Sequence, residues 1–192
     1  MTETKAYKLL TPFLIALPIL GLIATPAVAN NTIMGMAYIQ EIVIQTPRIG
    51  NLNDSKKCGL SENSISDFVL QKLRKEQLPV FSLIDAPKPK KDVARLYIVP
   101  EATTMEVRNF ACVSYISLTA KAQATLPIPP IEVPRHITIS YWGAGLMVNS
   151  SHPGHKRVTE AGFEKLATLF ARQYKLAQPP VISLEKEERI LF

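Results

Sequence analysis

Hydrophobic residues recur along the chain with two different periods, and the change of period divides it into strands and helices. In residues 61–77, Ile65, Val69 and Leu73 fall on one side of a helix. This spacing predicts an amphipathic helix that packs on a core. The same spacing of apolar residues predicts a second helix over residues 159–176.

Short runs rich in Ile and Val, and longer runs with alternating polarity, predict strands around these helices. The predicted strands cover residues 38–45, 80–84, 93–99, 112–124 and 136–142. A further segment, residues 103–110, fits either a strand or a loop. In the strand 112–124, Ile116 and Leu118 share an apolar side, whereas the side of Thr119 turns polar. This pattern is typical of an antiparallel sheet that is covered on one face.

Three segments lack either period and predict connections. Residues 46–57 are predicted as a polar loop and residues 149–155 as a turn. Residues 126–134 contain four prolines, which predicts an extended, polyproline-like connection that cannot be a paired central strand. Ile128 and Ile131 lie on this connection, and we therefore expect them to be candidate contacts for a partner.

The only tryptophan of the chain has two possible positions. Simple alternation places Tyr141 on the side of Ile139, and Trp142 on the opposite side. If the helices cover the isoleucine side, Trp142 lies on the open face of the sheet and could form a partner surface with Tyr115. The alternative is that Trp142 fills a gap in the core.

The order of predicted elements is β-α-β-β-β-α, within a domain over residues 38–178. This order predicts an α+β fold: a two-layer sandwich with a mostly antiparallel sheet and two helices packed on it. Helices on opposite faces of the sheet remain a second possibility. Residues 179–192, with apolar ends, are predicted as an appended tail.

The N-terminus has the pattern of a secretory signal peptide over residues 1–29. Lys5 and Lys8 precede an uncharged apolar run, which ends in Ala27-Val28-Ala29, so cleavage is expected after Ala29. Residues 30–37 would then form a flexible leader. The alternative is a retained anchor, because the apolar run is long enough to span a bilayer. With no cysteine near the cleavage site, we expect an exported, periplasmic protein without a lipid anchor.

Removal of the signal peptide leaves 20 basic and 15 acidic residues, a net charge of +5. This mild positive charge is typical of a solvated surface, and the alternative is attraction to anionic lipid, cell-wall polymer or an acidic partner. Export and the lack of an aromatic-basic motif argue against nucleic acid as a partner. Cys58 and Cys112 are the only cysteines. In an oxidising compartment an isolated pair usually bonds, which predicts a Cys58–Cys112 disulfide.

His152 and His155 are the sharpest candidates for chemistry. Two imidazoles three residues apart on a turn could reach one metal ion, with His136 as a third ligand. The alternative is that the intervening Pro-Gly pair is ordinary turn chemistry. The sequence contains no nucleophile elbow, no P-loop and no dinucleotide fingerprint. We therefore predict no catalytic residues and no cofactor.

The order of the elements resembles that of bacterial envelope accessory domains. A strand is followed by the helix SENSISDFVLQKLRKEQ, the strands VARLYIV and CVSYISLTAKAQA, and the helix VTEAGFEKLATLFARQY. The similar domains are the periplasmic domains of the curli secretion lipoprotein family and of the penicillin-binding-protein activator lipoproteins. The resemblance covers residues 38–176 and lies in element order, and the chain lacks the lipobox cysteine of those families.

A compact exported sandwich, the lack of a catalytic motif, and unpaired apolar segments at residues 126–134 and 181–192 together lead to a functional expectation. We expect an exported, non-enzymatic accessory protein of the bacterial cell envelope that binds another envelope protein. Contact with the membrane is expected only through the signal segment, if that segment is not cleaved. The alternative is a small exported metal-binding protein or hydrolase that uses His152 and His155.

Overall fold

The computed structural model describes residues 36–90, 93–128 and 131–179. The predicted signal peptide, and the predicted tail after Pro179, lie outside these residues. The predicted leader reaches the described part at its end, where Met36 is already fully buried. No helix in the described part of the chain is both long and apolar enough to cross a membrane.

The described residues form a mixed sheet with helices on it. The elements are β1 (Glu41–Ile44), β2 (Arg48–Gly50), α1 (Leu52–Lys57), α2 (Glu62–Lys75), β3 (Val80–Ser82), β4 (Arg95–Val107), β5 (Ala111–Ile128), β6 (Ile131–Ser151) and α3 (His152–Ala177). The predicted α+β class and the two long helices are confirmed. The segment predicted as a polar loop, residues 46–57, instead contains β2 and α1.

The sheet has the strand order β3-β1-β4-β5-β6, and β2 pairs with β4 farther along. β1 runs parallel to both β3 and β4, whereas β4–β5 and β5–β6 are antiparallel. The sheet is therefore mixed rather than purely antiparallel, and its longest pairings are antiparallel, as predicted. The reason is that α2 connects β1 to its neighbour β3, and a crossover through a helix makes two adjacent strands parallel.

α2 and α3 lie side by side on one face of the sheet and share its hydrophobic core. Lys72 of α2 places its Nζ 2.7 Å from the Glu164 carboxylate of α3. α3 approaches the sheet closely at Gly162, where a Cβ atom would lie 2.5 Å from Ile116 Cδ1. A glycine on the inner side of α3 thus allows the helix to rest directly on β5 and β6.

β4 continues through Pro100, although the sequence predicted that this proline closes the strand. β1 ends its pairing with β4 at Ile98, and β2 begins to pair at Glu101. Pro100 therefore lies beside the gap between two short partner strands. A residue without a backbone N–H is tolerated there, because neither strand needs it as a donor. The ambiguous segment 103–110 is strand as far as Val107.

The prediction that residues 126–134 form an unpaired connection is wrong. β5 and β6 continue as a hairpin, with Leu126 opposite Arg135 and Ile128 opposite Ile131. The pairing of β4 with β5 ends at Tyr97 and Lys121, so the hairpin projects beyond the sheet. We call this projection, residues 122–128 and 131–139, the β-arm. Each strand of a two-stranded arm has a free edge, where a proline costs no hydrogen bond.

A bulge in β6 corrects the predicted direction of Trp142. Trp142 lies opposite Ala120, whereas Ser140 lies opposite the next residue, Lys121. Tyr141 is therefore an extra residue in β6, and the alternation of sides restarts after it. As a result, Trp142 faces the helices, on the same side as Ile139 and not opposite to it.

The turn predicted over residues 149–155 is also wrong, because α3 already begins at His152. Pro153 occupies the first turn of α3, where its missing N–H would have no partner inside the helix in any case. The two histidines of the predicted metal site therefore lie one turn apart on a helix and not on a flexible loop.

Candidate functional site

A disulfide and two histidines lie close together where β4, β5 and the first turn of α3 meet. Cys58 ends α1, and Cys112 is the second residue of β5. The structure joins them in a disulfide with a Cα–Cα distance of 6.1 Å, which confirms the predicted pair. Both cysteines are buried. The bond fastens the short helix α1 to the central antiparallel strand.

His155 belongs to a buried chain of polar side chains. Its Nε2 lies 2.7 Å from Ser114 Oγ, and Ser114 Oγ lies 2.7 Å from Thr104 Oγ1. The other ring nitrogen, Nδ1, lies 3.0 Å from Ser150 Oγ. The chain therefore links β4, β5, β6 and α3, and it uses both nitrogens of the imidazole.

The Ser114–His155 pair has the short distance of a nucleophile and its base, but it is enclosed. Neither residue has any exposed surface. Burial lowers the pKa of His155, and the nearby His152 lowers it further. A neutral imidazole that forms hydrogen bonds with the serine hydroxyls explains this environment. A serine without exposed surface cannot reach a substrate. We therefore assign this buried network of side chains a structural role.

His152 lies beside the disulfide, with a ring nitrogen within 4.8 Å of the sulfur atoms of Cys58 and Cys112. Its Nε2 lies 3.2 Å from Glu106 Oε1, close enough for an ion pair when the imidazole is protonated but not aligned for a hydrogen bond. Lys57 Nζ lies 2.6 Å from the other oxygen of Glu106. The hydrogen bond to Glu106, followed by its charge, raises the pKa of Lys57. Glu106 thus has the Lys57 ammonium beside one carboxylate oxygen and the His152 ring beside the other.

The predicted metal site of His152, His155 and His136 is not assembled. His136 lies on the β-arm, about 50 Å along β6 from His152 at the rise of an extended strand. Within the described residues, the one group of three metal-ligating side chains in mutual reach is Cys58, Cys112 and His152. Its two sulfur atoms are bonded to each other, so it offers no thiolate ligands in this state.

Trp142 is 4% exposed and packs against Phe170 of α3, with ring centroids 5.2 Å apart. The aromatic partner surface predicted from Trp142 and Tyr115 is therefore not formed, since the two rings lie on opposite faces of the sheet. Tyr115 is on the open face, half exposed, opposite Met147. Its ring covers Gly145, where a Cβ atom would lie 2.7 Å from Tyr115 Cζ.

The other two predicted contact residues, Ile128 and Ile131, form the last backbone pair of the β-arm. Nearer the sheet, Gln123 and Thr138 form an exposed cross-strand pair on the arm. The structure thus places Ile128 and Ile131 at the end of a projecting hairpin, not on an extended, polyproline-like connection.

A groove that the sequence analysis missed runs between the free edge of β6 and the side of α3. It encloses about 480 Å³, with Leu146 and Val158 among the apolar side chains of its walls and Arg157 and Lys165 on the helix side. One signal in the sequence could have indicated it. Residues 136–151 contain no charged residue and no proline, which is unusual for a strand at the edge of a sheet.

No protein-family model and no curated protein sequence matches this chain. Among solved structures, an uncharacterised protein is 8% identical, with a TM-score of 0.40 over 71% of this chain and 93% of that one. A minor lipoprotein from Acinetobacter baumannii is 9% identical, with a TM-score of 0.31 over 72% and 94% of the two chains. A putative neuraminyllactose-binding hemagglutinin homolog from Helicobacter pylori is 12% identical, with a TM-score of 0.33 over 72% and 91%. Likenesses of this size carry no argument about function.

Proposed function

We propose that this protein is an exported, non-enzymatic accessory protein of the bacterial cell envelope that binds another envelope protein through its β-arm. The pattern of residues 1–29 supports export. The Cys58–Cys112 disulfide supports an oxidising compartment, because such bonds form and persist there and are rare in the cytosol.

The observation that carries the proposal is the β-arm. Six residue pairs of β5 and β6, from Ala122–Ile139 to Ile128–Ile131, lie beyond the last pair of β4 with β5. A two-stranded hairpin on its own is only marginally stable in water. An arm of this length therefore gains most from a partner that packs on it or extends it.

The composition of the arm also favours a protein partner. Ala122, Ala124, Ile137 and Ile139 lie on one side of it, as the pairing register requires, and Ala122 at the base of the arm already packs against the core. This apolar side is suited to the buried centre of a protein interface, while Gln123 and Thr138 on the other side suit a solvated rim. Ile128 and Ile131 would place two further apolar residues at the far end.

Photocrosslinking in intact cells of the source bacterium tests the proposal. A photoreactive residue replaces Gln123 in one variant and Thr138 in another, and Gln71, exposed on α2, serves as the matched control. We expect the same envelope protein in the adducts of both arm variants and not in those of the control. If the arm variants give no adduct beyond those of the control, the proposed function is wrong.

A further inference from the structure

β6 is the last strand of the sheet, and its outer edge has no strand beside it among the described residues. Residues 136–151 of β6 carry none of the charges or prolines that usually protect an edge strand from pairing with another chain. An unprotected edge of this kind is a ready template for an added strand. The groove between this edge and α3 would receive alternate side chains of that strand.

We propose that the groove is a strand-addition site, in which an extended segment of the envelope partner pairs with β6 and places a carboxylate beside Arg157 and Lys165. This inference rests on the proposed function and names a second contact of the same partner. The edge would supply backbone hydrogen bonds. Leu146 and Val158 would hold apolar side chains, and the two cations would select an acidic residue.

The charges of the groove favour an acidic segment. Arg157 and Lys165 are both exposed, and the residues that line the groove include no carboxylate. The two acidic residues of α3 near these cations in sequence pair with other lysines: Glu160 with Lys156, and Glu164 with Lys72 of α2. The positive charge on the groove side of α3 is therefore not neutralised by these residues.

The same charges argue against a second copy of this chain as the occupant. Antiparallel pairing of two β6 edges about a two-fold axis would continue the sheet and set the two α3 helices side by side. Arg157 and Lys165 of one copy would then face the same cations of the other. Repulsion between like charges across such an interface favours a different, acidic chain.

Chain topology argues against the C-terminal residues of this chain. β6 is parallel to β1, and a strand placed outside β6 after α3 would lie on the side of β6 opposite to β5. In the unit β1–α2–β3, the second strand lies on the other side of its first strand, with the helix on the same face. The two crossovers would therefore have opposite hands, and left-handed crossovers are very rare.

Two probes test the site. In cells, a photoreactive residue replaces Ala161, which is exposed on the groove wall, and Gln71 again serves as the control. We expect the protein captured by the β-arm, linked through an extended segment that contains Asp or Glu. The double variant Arg157→Glu/Lys165→Glu should lose at least nine-tenths of this adduct. The variant Lys75→Glu/Lys90→Glu changes the net charge equally at exposed positions elsewhere and should keep it.

In solution, the probe is an acetylated peptide of alternating valine and threonine with one central glutamate. NMR should show shifts confined to the groove and to the outward-facing amides of residues 146–149. We expect binding at least tenfold tighter than that of the same peptide with a central lysine. The Arg157→Glu/Lys165→Glu variant should lose this preference, whereas the Lys75→Glu/Lys90→Glu variant should retain it.

The outcomes separate the inference from the proposed function. Adducts from Gln123 and Thr138 without one from Ala161 would overturn the strand-addition site and leave the β-arm interaction in place. An Ala161 adduct with a second copy, or with the C-terminal residues of the same chain, would also overturn it. NMR shifts on peptide binding that do not involve amides of β6 would also overturn the strand-addition site. Failure of both the arm and the groove variants to capture a partner would remove both proposals.

Discussion

The imidazole of His155 is held neutral inside the core, and this makes the stability of the protein depend on pH. Its pKa is lowered from the ordinary value of 6.5, chiefly by burial and secondly by the charge of His152. The imidazole of His155 therefore binds a proton more readily in the unfolded chain than in the folded chain. The contribution of His155 to the free energy of unfolding should be present in full above about pH 6.5. The free energy of unfolding should fall as the pH decreases below that value.

Urea unfolding at a series of pH values from 7.5 to 5.5 measures this dependence. The variant His155→Gln should be less stable at pH 7.5, because it disturbs the bonds to Ser114 and Ser150, but its stability should vary less with pH. The variant His152→Gln, which keeps the buried ring, should retain most of the dependence. Equal pH dependence in His155→Gln and the unchanged protein would show that His155 is not the group responsible.

Trp142 provides a second test at single-residue scale, because it is the only tryptophan. Its contact with Phe170 predicts fluorescence at the short wavelengths of an apolar environment and little quenching by iodide. Trp142→Ala should lower the free energy of unfolding by about 3–5 kcal/mol. Tyr115→Ala, at a half-exposed aromatic on the other face, should lower it by less than about 1 kcal/mol. Strong iodide quenching of the folded protein would contradict the bulge at Tyr141.

Among the elements, the fastening of α1 to β5 by the disulfide has the largest expected effect. Cys58 and Cys112 are 54 residues apart in sequence, and closing a loop of that length restricts the unfolded chain by about 4 kcal/mol in the chain-entropy model. The double variant Cys58→Ser/Cys112→Ser should therefore lose stability of about that size in urea unfolding. A loss below about 1 kcal/mol would mean that the bond constrains the chain very little.

The sequence predicted those elements whose identity is decided by their own residues. α2 and α3 have apolar stripes with the helical period, and β5 alternates over most of its length, so all three were predicted, although α3 begins at His152 and not at Thr159. α1 was missed because six mostly polar residues have too few turns to show a period. The parallel pairing of β1 with β3 and β4 was not specified by the sequence, because strand direction depends on which strands become neighbours, and this is not a local property.

The errors around the candidate site have similar causes. The disulfide could be predicted because two cysteines allow only one pair. The positions of the two histidines could not be predicted, because they depend on where α3 begins. A helix that begins at His152 directs His155 into the core. One extra residue, Tyr141, reversed the predicted side of Trp142. The prolines of residues 126–134 were taken as evidence against pairing, although on a two-stranded arm they are tolerated.

In the whole molecule, β6 is the strand that links the β-arm, the core and the groove beside α3. It forms one strand of the β-arm, carries Trp142 into the core and ends as the free edge beside α3. A partner that extends along β6 would therefore contact both the arm and the groove. The proposal that this protein acts by binding another envelope protein can therefore be tested by shortening the arm alone.

The most direct test replaces residues 123–138 by Asn-Gly, so that the opposed residues Ala122 and Ile139 are joined by a two-residue hairpin turn and the rest of the β-arm is removed. The tagged full-length and shortened proteins are purified from crosslinked cells of the source bacterium, and the bound proteins are quantified by mass spectrometry. Trp142 fluorescence confirms that both are folded. We expect one dominant envelope protein bound to the full-length chain, and at least tenfold lower recovery of that protein with the shortened chain. Equal recovery of the same proteins by both chains would contradict the proposed function.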